Sequence, residues 1–128
     1  MRSLSIAIVL FLILPGAYTA QTTDPCKDAQ STFEMKQCAA KKFKQADDEL
    51  NTVYRRLMAK LDDEGHKTSL KTAQQAWLKY RDTNCEFESY LNRGGTIYSL
   101  VVSDCMTVMT TSRTSEMKEQ IKRLESGE

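Results

Sequence analysis

Histidine occurs once in this chain, at His66, and no two of its cysteines stand closer than 12 residues apart. Zinc and iron–sulfur sites draw on several such ligands, usually in close pairs, so metal chemistry lacks its donors and no cofactor is expected. A C-x-x-C redox motif is missing as well. Glycine (5) and proline (2) are sparse, which excludes collagen-like, proline-rich and low-complexity chains. Neither sign of charge prevails: 18 basic residues face 17 acidic ones, so no overall field draws the protein to nucleic acid or an anionic membrane. Strand-type alternation is absent, and no apolar run reaches the roughly 20 residues of a bilayer-spanning helix.

What is present begins with a leader. Arg2 is the one charge before a nearly unbroken apolar run from Leu4 to Leu14, and Pro15-Gly16 then precedes Ala17-Tyr18-Thr19-Ala20. A charged start, a short apolar stretch and a small-residue exit make a secretory signal peptide. The expected organisation is a signal peptide over 1–20 and one helical domain over 21–128, with cleavage after Ala20. Cys26 follows Asp24-Pro25, which is no lipid-attachment context, so no membrane anchor is expected after cleavage. The processed protein is expected to be periplasmic or secreted. Loss of Arg2 leaves 17 bases against 17 acids.

Hydrophobic periodicity then predicts three helices. Ser31-Thr32-Phe33-Glu34 has the form of a capping box, and Ala39, Phe43, Ala46, Leu50, Val53 and Leu57 follow at helical spacing. This first helix is expected to end near Asp62-Asp63-Glu64-Gly65. A second starts near Thr68 or Ser69, with a predicted seam of Leu70, Ala73, Trp77, Tyr80, Asn84, Phe87 and Leu91. Gly94-Gly95 reverses the chain, and Thr96 is placed to cap a third helix carrying Ile97, Leu100, Val101, Val108, Met117, Ile121 and Leu124. Thr107, Thr110, Thr111 and Thr114 weaken its middle, because β-branched side chains lower helix propensity. Short connections make neighbouring helices antiparallel, so the expected fold is an all-α, three-helix up-down-up bundle.

Four cysteines in a short exported chain read as two disulfides, for which three pairings exist. Cys85 and Cys105 each lie roughly 10 Å from the turn between the second and third helices, level with one another. Cys26 precedes the cap at Ser31, so its segment can fold back to Cys38; in one continuous helix the two would be about 18 Å apart. The expected bridges are Cys26–Cys38 and Cys85–Cys105.

No catalytic constellation stands out. His66 lies between charged residues in Gly65-His66-Lys67 and has no evident partner, which favours a solvated loop histidine over a base. Asp82 and Glu86 share one helix face, as a glycosidase pair would, but so do many structural carboxylates. Trp77, Tyr80 and Phe87 read as core rather than as a stacking strip. Arg81, Asp82 and Arg113 fit a clamp between helices better than a site. No catalytic residue is assigned, and the chain is expected not to be an enzyme.

The stretches DPCKDAQSTFEMKQCA, ADDELNTVYRRLM and LKTAQQAWLKYRDTNCEFE, followed by GGTIY, SDC and TTSR, carry a resemblance. Cys-x11-Cys, Leu-Asn-x2-Tyr and Gln-x2-Trp-x2-Tyr-Arg-Asp-x2-Cys occur in that order, and the sequence resembles the LprI-like lysozyme-inhibitor N-terminal domain family of small exported bacterial proteins. The resemblance spans about Cys26 to Met117. It implies a helical, disulfide-bonded domain in the bacterial envelope and a protein partner, a lysozyme or another wall hydrolase. The family's recurrent positions fall on Leu50, Asn51, Tyr54, Gln74, Trp77, Tyr80, Arg81 and Asp82, at or beside the expected helix interface, so they speak for the fold more than for a binding surface.

An inhibitor of a glycosidase needs a protrusion on a rigid support. Asn92, Arg93, Gly94, Gly95 and Thr96 form the candidate turn: polar, glycine-rich and close to the expected Cys85–Cys105 bridge. Arg93 would meet the target's carboxylates, with Asn92 and Thr96 hydrogen-bonding in its groove. The plainer reading is that the two glycines only reverse the chain. The alternative function is an envelope interaction, stress or immunity-type protein with a different protein partner.

Overall fold

The computed structural model describes residues 26–127, and the leader expected over 1–20 lies outside them. Three helices follow in order: α1 (Thr32–Ala59), α2 (Glu64–Glu88) and α3 (Tyr98–Ser126), with a 3-10 turn at Tyr90–Asn92. The capping box opens α1 as expected. Ser31 Oγ accepts from the Glu34 N–H at 3.2 Å, and the Glu34 carboxylate accepts from the N–H groups of Ser31 (3.0 Å) and Gln30 (2.9 Å). The two bridges are Cys26–Cys38 and Cys85–Cys105, with Cα–Cα distances of 5.4 and 5.6 Å.

Ion pairs and bridges report the helix directions. Lys118–Glu49 and Lys60–Glu125 (2.8 Å) tie corresponding levels of α1 and α3, so these two run parallel. Cys85–Cys105 pairs the end of α2 with the start of α3 and the Arg113–Gln74 hydrogen bond (3.2 Å) joins their middles, so these run antiparallel. The result is the expected up-down-up bundle. Its core lies chiefly between α1 and α3, where Leu50, Val53 and Leu57 pack with Met117 and Ile121, and Tyr54, Leu70 and Trp77 close its edge.

Three local expectations are corrected. Helix α2 begins at Glu64, not near Thr68, because Asp63 caps it by accepting from the His66 N–H at 2.7 Å. That bond, worth about 1 kcal/mol, offsets the similar cost of placing Gly65 in the first turn. Gly65 and His66 are therefore helical rather than loop residues. Thr96 does not cap α3: Ile97 holds the cap position with a near-helical backbone and no side-chain bond. The threonines do not interrupt α3 either: the helix runs unbroken through them, and Thr107 and Thr114 donate their hydroxyls to the carbonyls of Ser103 and Thr110 one turn earlier.

The seam of α2 is rotated from the expected one. Its buried residues are Gln74, Arg81 and Cys85, whereas Tyr80, Phe87 and Leu91 are exposed, Leu91 to 95%. Cys85 must face α3 to form its bridge, and two residues further on the helix has turned by about 200°, which points Phe87 outward. Val108, placed in the predicted seam of α3, is exposed as well.

Candidate partner-binding surface

The α2–α3 reversal is built from short hydrogen-bonded steps. Ser89, fully buried, ends α2 with its N–H on the Cys85 carbonyl at 3.1 Å. Asn92 N–H then donates to Ser89 O (2.9 Å), Arg93 N–H to Tyr90 O (3.1 Å) and Gly95 N–H to Asn92 O (2.9 Å). Gly94 sits at φ +80°, a conformation that side-chain-bearing residues rarely adopt, and a Cβ on Gly95 would stand 3.1 Å from Asn92 O. Both glycines thus fit the sequence expectation of a tight reversal, and each for its own steric reason.

Side chains stiffen the same turn. Arg93 Nη2 donates to Glu86 Oε1 at 2.6 Å and its guanidinium lies over the Tyr90 ring, 5.0 Å from the centroid. The expected carboxylate seeker therefore carries its own carboxylate, and Glu86 is an arginine partner rather than half of an acid pair with Asp82. Asp82 is likewise committed, accepting from Arg81 Nε at 2.9 Å. Around the polar tip stand exposed apolar side chains: Phe87 (78%), Leu91 and Ile97, which helical spacing places in the core, and Tyr90 (60%). Asn92, Arg93, Gly94, Gly95 and Thr96 are thus brought together on a tip with an apolar flank. The signal for that flank was available in the 20-residue spacing of Cys85 and Cys105, which fixes which face of α2 is turned inward.

The family positions gather elsewhere, at mid-bundle. Arg81, buried, reaches Asp47 of α1 (3.1 Å) and Thr110 of α3 (3.2 Å) through Nη1, and lies over the rings of Phe43 (5.1 Å) and Trp77 (5.5 Å). Arg113 lies near the same Trp77 ring (5.9 Å) and binds Gln74 and Glu116. Leu50 is buried in the core and Tyr54 packs on it. Asn51 only donates to Asp47 at the surface (3.2 Å), and Tyr80 is exposed, so the expected interface does not include these two. Asp47 is the member of the clamp that sequence reading missed.

Among the described residues no three His, Cys, Asp or Glu side chains group as metal ligands, and no helix is long and apolar enough to cross a membrane. Fold and site define a small disulfide-clamped helical bundle that displays a rigid turn on one end. The chain belongs to the family described as Lysozyme inhibitor LprI, whose profile matches residues 23–117. It is similar to an uncharacterized protein of Rhizobium meliloti (strain 1021), 34% identical over 98% of this chain and 100% of that one. It also shares its fold with the crystal structure of a DUF1311 family protein from Pseudomonas putida. That match has a TM-score of 0.64 at 22% identity and covers 67% of this chain and 89% of the other.

Proposed function

We propose that this protein is an exported, non-enzymatic inhibitor of a lysozyme-type peptidoglycan hydrolase, and that the turn from Phe87 to Ile97 is the part that enters or covers the target's cleft. The family, described as one of lysozyme inhibitors, supports the partner class and the non-enzymatic role. Two disulfides suit an oxidising compartment, and the leader-like first 20 residues supply the route there. One observation carries the choice of surface: large apolar side chains and an arginine stand exposed on a turn held by a disulfide, an ion pair and four backbone bonds. Interfaces concentrate their energy in such aromatic and arginine anchors, and a turn that is already ordered loses little entropy on docking.

Arg93 would exchange Glu86 for a carboxylate of the target without moving far. The test is inhibition of lysis over a panel of lysozymes by the oxidised protein and its Leu91→Ala and Arg93→Ala variants, with Lys60→Ala at the far end of the bundle as control. Truncating a desolvated charge partner commonly costs about 2–5 kcal/mol of binding, at least a tenfold loss of affinity. Arg93→Ala should lose that much, Leu91→Ala should lose about tenfold through the apolar area it no longer buries, and Lys60→Ala should keep full potency. Equal inhibition by all three variants removes the turn as the inhibitory element. Absence of inhibition across the panel moves the partner to another envelope protein.

A further inference from the structure

At the end of the bundle away from the turn, a cleft of about 410 Å³ opens where α2 leaves its cap and α3 nears its end. That volume lies within the roughly 300–1,000 Å³ typical of small-molecule sites. Leu57 and Leu61, both buried, form its floor, and Leu70 and Leu124 form its sides; no Phe, Tyr or Trp lines it. Its charged lining is of one sign. Arg113 and Arg123 supply it, the His66 imidazole adds a polar ring, and no carboxylate is among the lining residues. Arg113 is already bound to Gln74 and Glu116, which makes it a stop at one end of the cleft. Arg123, about 15 Å further along α3, has no hydrogen-bond or ion-pair partner for its guanidinium among the described residues.

We propose that this cleft binds a single-chain fatty carboxylate, with the carboxylate on Arg123 beside His66 and the acyl chain along the leucines towards Arg113. Charge complementarity selects the anion. The aliphatic, elongated lining selects a flexible chain over a flat ring. This site lies at the opposite end from the proposed inhibitory turn and stands or falls independently of it.

Calorimetric titration of the oxidised protein, expressed with its own leader, tests the idea with octanoate and dodecanoate below their micelle concentrations and dodecanol below its solubility limit. Dodecanoate should bind one site more tightly than octanoate, by up to about fourfold per added methylene, and at least tenfold more tightly than dodecanol. Arg123→Gln should bring dodecanoate down to the affinity of dodecanol. Ala73→Trp, at an exposed position lining the cleft, should fill the groove and abolish binding of both with an unchanged helical spectrum. Dodecanol binding as tightly as dodecanoate would overturn the proposal. So would full binding by Ala73→Trp, or no saturable binding by the unaltered protein.

Discussion

Arg81 donates to Asp82, Asp47 and Thr110 from a position only 6% exposed, and among the described residues no other side chain links all three helices in this way. Removing it leaves the buried Thr110 hydroxyl without that donor and two carboxylates without their cation. Arg81→Met should therefore lower stability by about 3 kcal/mol, read as a reduced urea midpoint. Arg81→Lys should lose nearly as much, because an ammonium cannot reproduce the planar fork over the Phe43 and Trp77 rings. Ser89 is the opposite case. It is fully buried, and its Oγ has no hydrogen-bond partner among the described residues. Ser89→Ala removes a desolvated hydroxyl without opening a large cavity, so the thermal midpoint should hold or rise, by up to about 1 kcal/mol of stability. The clamp was legible in part: Arg81, Asp82 and Arg113 stood out as charges beside an apolar line. Asp47 did not, since it is 34 residues from Arg81 and sits in an acidic run with no feature that marks it.

Helix α1 was legible to its first residue because a capping box is a local code in which both partners lie within four positions. Its acidic member also titrates usefully. Backbone N–H groups of Ser31 and Gln30 hold the Glu34 carboxyl below its ordinary 4.5. A carboxylate with a depressed folded pKa contributes its full stability above the ordinary value and loses it as pH falls through the folded one. Acid titration followed by circular dichroism should thus show α1 weakening below about pH 4.5, and Glu34→Gln should flatten that limb of the profile. The face of α2 was not legible from periodicity, because an aromatic stripe at 3-and-4 spacing reads as core whether or not a neighbour covers it. The disulfide settles the rotation, and only a reading that began from Cys85 would have found it. Gly94, at φ +80°, gives an element-scale test of the turn. Gly94→Ala should cost about 1 kcal/mol and loosen the tip, measured as lower inhibition at equal helicity if the turn is the docking element.

Across the whole molecule the up-down-up order followed from loop lengths alone, and the bridge pairing from helix levels, so the architecture needed no packing detail to be read. The core was harder. It runs between α1 and α3, and nothing in the sequence ranks that pair above the chain neighbours α1 and α2. The same topology places both bridges towards one end: Cys26–Cys38 at the start of α1, Cys85–Cys105 where α2 meets α3. The other end, with the Lys60–Leu61 connection, the Asp63 cap and the C-terminal turns of α3, is held by side-chain packing and the Lys60–Glu125 pair. The protein is thus built like a clothes-peg, riveted covalently at one end and closed at the other by the spring of its apolar core. Thermal motion should open it in one direction, from the cleft towards the rivets. Amide hydrogen exchange along α3 should grade accordingly, fast near Leu124 and slow near Cys105, and reduction of the bridges should abolish the gradient before it abolishes the helices.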